Sequence, residues 1–199
     1  MDREEKIDYS LVICAYNPDE RILARCLAAV QQLDITGITT EVLLIDNNSS
    51  TPLSTVPYIQ AYLEKIPRMQ ILPEPRQGQT YARMTAAVQS QGGHVVFFDA
   101  DNEPAPHYLQ ELHRLIRQYP RVAAWGPGNV KVDFIDGMPP DIACMAPAAF
   151  QYREEQAVSF GSEKEWQPCY PYGTGLCIKT PLLKKYMQLV QDGHFTLTG

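Results

Sequence analysis

Four short apolar runs limit what this chain can become. Residues 10–15 (Ser-Leu-Val-Ile-Cys-Ala), 41–45, 69–72 and 95–98 are each too brief for a buried helix and suit strands covered on both faces. Between them, apolar residues recur at helical spacing. From Asp19 to about Leu33 they are Ile22, Leu23, Cys26, Leu27, Val30 and Leu33. Residues 56–65 form a second helical stretch. A third opens at Gln77-Gly78-Gln79-Thr80, runs to about Ser90 and stops at Gly92-Gly93. A fourth, residues 106–118, turns Leu109, Leu112, Leu115 and Ile116 inward, and residues 122–125 predict another strand. This alternation predicts an α/β fold with a mostly parallel central sheet flanked by helices. In such sheets ligands sit beyond the carboxyl ends of the strands. That rule places Ala15, Tyr16 and Asn17, then Asp46, Asn47, Asn48 and Ser49, then the residues from Asp99 to Asn102, on one rim.

The last group carries the sharpest chemistry. Asp99 and Asp101 flank Ala100 at the end of the 95–98 run. Residues i and i+2 tend to point to one side there. Two carboxylates so placed repel each other unless a cation sits between them. A hard divalent ion with oxygen ligands fills that place and keeps positions open for a phosphate. The alternative is that Asp101 or Asn102 caps a helix that Pro104 helps to start.

Composition narrows the partners. The 199 residues carry a net charge of −6 and no basic stripe, which argues against nucleic acid. An acidic chain that binds an anionic ligand needs local positive charge, from a metal or a few placed arginines. Length and pattern predict a single domain with a sizeable core. Five cysteines, Cys14, Cys26, Cys144, Cys169 and Cys177, show no C-x-x-C spacing. That usage fits a reducing, cytoplasmic compartment and no structural zinc, with Cys14 a small core residue. The first six residues are too charged for a signal peptide, and no run of 18 apolar residues is present. Peripheral association with the inner face of a membrane stays open.

After Gly126 the pattern changes. Residues 129–134 alternate like an edge or antiparallel strand, and 136–150 predict a loop or short helices over the site. Thr180-Pro181 reads as a cap and first-turn proline for a helix over 182–190.

Val12-Ile13-Cys14-Ala15-Tyr16-Asn17, Leu44-Ile45-Asp46-Asn47-Asn48-Ser49, Gly78 with Ala82-Arg83, and Asp99-Ala100-Asp101 occur in one order and spacing. Together they resemble the family 2 glycosyltransferases of the GT-A, Rossmann-like fold. The resemblance runs from about Ser10 to Pro106 and weakens towards Lys185. It implies a nucleotide-sugar donor, most simply a UDP-sugar, with Mn²⁺ or Mg²⁺ on Asp99 and Asp101. Asp101 would be the direct ligand, and Asp99 would position the ribose and the ion's water shell. The resemblance further implies that Ala15, by its backbone, and Tyr16, by its ring, lie against the base. Asp46 or Asn47 would bond the base edge, although many relatives carry two acids there, and both also read as turn residues. Arg83 matches the family's Ala-Arg-Asn segment, with Met84 in place of the asparagine. It either supplies the missing positive charge or lies on a solvated helix face.

Gly173, Thr174 and Gly175 resemble the acceptor-side loop, so residues 9–125 form the donor part and 126–199 the acceptor side. Trp166 and Tyr172 stack on an acceptor sugar or, as the favoured reading, lie in the core. His94 and His107 flank the D-x-D motif, and His194 is a lesser candidate metal ligand. Inverting relatives place a Glu-Asp pair after the glycine loop, its Asp the general base. Here only Asp192 is acidic after Gly175, in a turn-like context. The expectation is therefore a fragment whose catalytic base lies beyond Gly199. Its predicted activity is inverting, metal-dependent sugar transfer to a saccharide or lipid-linked acceptor. The alternatives are donor binding without turnover and nucleotidyl transfer. Nucleotidyltransferases carry a glycine-rich basic loop after the first strand, which the sequence lacks.

Overall fold

The structure, a computed structural model, describes residues 6–193. His194 lies outside the described residues. In chain order the elements are β1 (Tyr9–Ala15), α1 (Glu20–Gln31), β2 (Thr40–Asp46), α2 (Pro57–Lys65), β3 (Met69–Pro73), α3 (Gln79–Gln89) and β4 (His94–Asp99). They continue with α4 (Tyr108–Gln118), β5 (Ala124–Trp125), β6 (Asn129–Val130), α5 (Ala146–Ala149), β7 (Arg153–Glu154), β8 (Leu176–Lys179) and α6 (Thr180–Gln191).

A six-stranded sheet has the order β3-β2-β1-β4-β8-β5, and β6 and β7 make a separate ribbon. β1, β2, β3 and β4 run parallel. β8 runs antiparallel to both β4 and β5. β1, β2 and β4 bury both faces, as their continuous apolar pattern requires. On one face Leu11, Ile13, Val42, Leu44, Val96 and Phe98 pack against Leu23, Leu27, Ile59 and Leu109 of α1, α2 and α4. On the other, Val12, Leu43, Ile45, Val95 and Phe97 meet Ala82, Ala86 and Ala87 of α3 and Leu183 and Met187 of α6. The alanines let α3 lie close to the sheet.

Register sets the rim. Ala15 pairs with Asp46, Cys14 with Asp99, and Asp46 with Pro73. The ends of β1, β2 and β4 therefore finish level. β8 enters from the same rim, because Leu176 pairs with Phe97 and Lys179 with His94.

Four expectations are corrected. Only Asn129 and Val130 of residues 129–134 pair as a strand, because the chain then leaves to cross α1, where Arg25 and Arg21 bond Asp133 and Asp136. Strand β5 is two residues rather than four. Thr180 does not cap α6; it is the helix's first residue, and its hydroxyl donates to the Gly92 carbonyl at 2.6 Å. Trp166 is 69% exposed and not in the core.

The opposite end of the sheet is closed by a buried polar cluster. The Ser10 hydroxyl donates to Glu41 Oε1 at 2.5 Å, and the Gln91 amide donates to the same oxygen at 2.7 Å. The Gly92 amide donates to Ser10 Oγ at 2.9 Å. This cluster joins β1, β2 and the α3–β4 turn, and satisfies a glutamate that is 1% exposed.

Candidate donor site

The rim is built from turns that the strand ends impose. After β1, Asn17 takes a positive φ of 43°. Its amide donates to Ser49 Oγ at 3.0 Å, and its Oδ1 accepts from the Ser50 amide at 2.8 Å. The β1 and β2 turns are thereby tied together. Ala15 is buried, with its carbonyl accepting from the Asn47 amide at 2.9 Å, while Tyr16 is 49% exposed on the rim. Asp46 turns inward: its two carboxylate oxygens accept from the Ser49 amide at 3.0 Å and the Leu53 amide at 2.9 Å. Asn47 is 4% exposed and spends its side-chain amide on the turn before α3.

Asp99 ends β4 and faces α3. Its Oδ1 accepts from Gln79 Nε2 at 3.1 Å and from Arg83 Nη2 at 3.3 Å. Arg83 thus points at the rim, with its guanidinium 5.5 Å from the centre of the Phe97 ring. Beneath lies Cys14, whose thiol burial pushes up to about 12, so it is an unreactive part of the floor.

Asn102 shapes the turn that follows Asp99. Its Oδ1 accepts from the Asp99 amide at 2.9 Å, and its Nδ2 donates to Asp101 Oδ1 at 3.0 Å. Neither Asp101 nor Asn102 caps α4, which begins at Tyr108 with His107 before it and no side-chain cap. Partial burial, then the neighbouring Asp99 charge, raises the Asp101 carboxyl above its usual range. Among the described residues no cation pairs with Asp101.

That asymmetry tests the fit of a divalent ion. Asp99 already has Arg83, whereas Asp101 carries an unbalanced charge that a cation would relieve. Among the described residues no group of three or more Asp, Glu, His or Cys stands ready to hold a metal. Mg²⁺ or Mn²⁺ held by one or two carboxylates and completed by a ligand's phosphates needs no such group. The donor set fits.

The turn before β8 arrives at the same place. A Cβ on Gly173 would lie 3.1 Å from Arg83 Nη2. Gly175 has φ +64°, and its carbonyl accepts from the Tyr108 hydroxyl at 2.6 Å. Thr174 Oγ1 donates to Gln151 Oε1 at 3.1 Å. Gly173 therefore sits against the residue that holds Asp99, while Thr174 faces Gln151 and Gly175 faces Pro127 and Tyr108. Tyr172 is half-buried, with the Arg153 guanidinium 5.3 Å over its ring. His107 is exposed, and His94 lies at the far end of β4, tilted against the Tyr9 ring and edge-on to Trp125.

Two arginines escaped the sequence reading. Arg25 donates from Nε to Glu103 at 2.7 Å and from Nη2 to Asp133 at 2.7 Å. Arg21, one turn earlier, forks to Asp19 and Asp136. They strap the 131–136 segment across α1 beside the Asp99–Asp101 turn. An i, i+4 arginine pair on a helix is the available signal, but it reads equally as a solvated face.

Glu74 braces the floor of the site from β3 to α3. Its carboxylate accepts from Arg76 Nε and Nη2, both at 2.9 Å, and from the Thr85 hydroxyl. The Arg76 guanidinium, with help from Thr85, pulls its carboxyl from 4.5 down to about 2. A depressed folded-state value adds stability above the unfolded value and loses it as pH falls through the folded one. Between about 4.5 and about 2 the wild type should lose roughly 1–2 kcal/mol that Glu74→Gln never has. Urea melts of the two proteins across that range should converge as pH falls. Parallel curves would remove Glu74 as the cause.

A mostly parallel sheet whose strand ends gather two aspartates, an arginine and a glycine turn on one rim defines a GT-A type domain. Residues 10–163 match the profile of glycosyl transferase family 2, and the chain belongs to that family. No curated protein matches it. Solved structures with the same fold include S. aureus TarS 1-349, with 18% identity and a TM-score of 0.68 over 90% of this chain and 49% of that one. TarS 1-349 in complex with UDP-GlcNAc gives 16% and 0.61, over 90% of this chain and 47% of that one. The mannosyltransferase PcManGT from Pyrobaculum calidifontis, in complex with GDP-Man and Mn²⁺, gives 20% and 0.61, over 92% and 47%. The chain spans about half the length of these structures.

Proposed function

We propose that the rim holds a nucleotide-sugar donor, a UDP-sugar, with Mn²⁺ or Mg²⁺ on Asp101 and Asp99, for inverting transfer to a saccharide or lipid-linked acceptor. The observation that carries this reading is the unbalanced Asp101 charge beside the Arg83-held Asp99. When bound, the ion would act as a Lewis acid on the diphosphate, whose negative charge grows as the glycosidic bond breaks. Arg83 adds a fixed positive charge at the same edge, Ala15 and Tyr16 border the base and ribose, and Asn17 fixes the turn beneath them. The donor part comprises residues 9–125. Residues 126–199 form the acceptor side, with Gly173, Thr174 and Gly175 bringing backbone to the rim where a sugar would approach.

Among the described residues after Gly175 the only acid is Asp192, which follows α6 and accepts from Gln188. The free thiols support a cytoplasmic place. A lipid-linked acceptor would add contact with the membrane's inner face.

Calorimetric titration with UDP is expected to show binding in Mn²⁺ and none in EDTA. Equal heats in both would defeat the metal-dependent reading. UDP-sugar hydrolysis measured on the same samples separates turnover from binding alone.

A further inference from the structure

The family resemblance implies a second acid where this chain has Asn47, and its surroundings explain the amide. Its Nδ2 donates to the carbonyls of Arg76 at 2.7 Å and Glu74 at 3.3 Å. Its Oδ1 accepts from the Gly78 amide at 2.8 Å. All three partners belong to the turn between β3 and α3. Two carbonyls and one N–H match the donor and acceptor ends of a carboxamide and fix which way it points. A carboxylate would serve Gly78 alone and would face the two carbonyls with negative charge. The side chain is 4% exposed, so a ligand on the rim does not reach it.

What Asn47 holds is the start of α3. Gly78 immediately precedes the helix, in a conformation with φ +133°, and no side chain caps that end. The first residue of the helix, Gln79, and Arg83 one turn later are the two groups that bond Asp99 Oδ1. The connection runs from Asn47 through Gly78 to Gln79 and Arg83, and so to Asp99.

We propose that Asn47 is a positioning residue: it fixes the N-terminus of α3 so that Gln79 and Arg83 hold Asp99 in place for the metal and diphosphate, and it does not read the base. This rests on the donor reading above. It also differs from the base-edge role that the family resemblance implies for this position.

The test compares the wild-type chain with Asn47→Asp, using Mn²⁺ with UDP and, separately, Mn²⁺ with inorganic pyrophosphate, which has no base. A misplaced α3 weakens both by the same factor, about tenfold, the cost of setting a buried polar group against the wrong partner. A change with UDP and none with pyrophosphate would overturn the proposal in favour of base contact. Amide hydrogen exchange without ligand supplies the second readout. Faster exchange from Gly78 to Arg83 in the variant supports the role, and unchanged exchange rejects it. If wild type binds neither probe, the donor reading fails, and the exchange result alone decides whether Asn47 fixes the helix. Asn47→Ser, which keeps a shorter donor and acceptor, should show the same equal weakening in smaller degree. It serves if the aspartate variant does not fold.

Discussion

Asp101→Asn is expected to weaken Mn²⁺-dependent UDP binding by about 100-fold or more while leaving the free protein as stable as wild type, or more so. The two effects have one origin. Without a ligand, Asp101 sits beside Asp99 and has no cation of its own among the described residues, so its charge is a burden on the fold. Neutralising it relieves repulsion. On the proposed reading, the same charge would be the protein's main hold on the ion once Mn²⁺·UDP is bound, and losing a charge-assisted contact of this kind costs about 2–5 kcal/mol. Residues kept for function at the fold's expense commonly show this opposition. Calorimetry and a thermal melt on one preparation read both quantities. Asp99→Asn should behave differently, because Asp99 is paired with Arg83 and Gln79 and its loss strands the arginine. Stability should fall in that variant along with binding. If Asp101→Asn bound Mn²⁺·UDP as tightly as wild type, the ion would have to sit elsewhere.

The second large effect lies at the other end of the sheet. Gly92→Ala is expected to cost about 3 kcal/mol, which for a chain of this size lowers the melting temperature by roughly 6–12 °C. An added Cβ would meet the Ser10 amide nitrogen at 2.5 Å, the Tyr9 carbonyl carbon at 2.6 Å and Ser10 Oγ at 2.9 Å. Backbone of the central strand cannot step aside cheaply. Any shift also disturbs the Ser10 hydroxyl that satisfies buried Glu41, and the Gly92 carbonyl that receives the Thr180 hydroxyl. The neighbouring Gly93 is the control. Its added Cβ would find only the Asp8 carbonyl oxygen, at 3.6 Å, so Gly93→Ala should be mild. Equal melting temperatures for the two variants would mean that the turn yields more readily than this packing implies.

Much of the rim was legible in the sequence because strand ends are local. The apolar runs before Tyr16, Asp46 and Asp99 have the right length, and the polar residues that stop them are those the parallel register brings level. Asp99 and Asp101 announce themselves by spacing. The insertion of β8 between β4 and β5 is not local: Leu176-Cys177-Ile178 is too short to declare a direction, and no pattern says which strand it joins. The strap made by Arg21 and Arg25 was invisible for the same reason, since its acids lie more than a hundred residues away, at Asp133 and Asp136. Asn47 was hard to read for a third reason. A polar residue at a strand's end suggests a ligand, yet whether its amide points outwards or back into the next turn depends on a backbone that only the folded chain supplies.

The ladder between β4 and β8 has a consequence for how such domains vary. Leu176 is paired opposite Phe97, so hydrogen bonds, not the length of the preceding excursion, decide where the glycine turn comes to rest. Loops grow at small entropic cost once their ends are fixed. Residues 131–172 can therefore be lengthened, trimmed or exchanged, while the glycine turn of each new version is still delivered to the same rim.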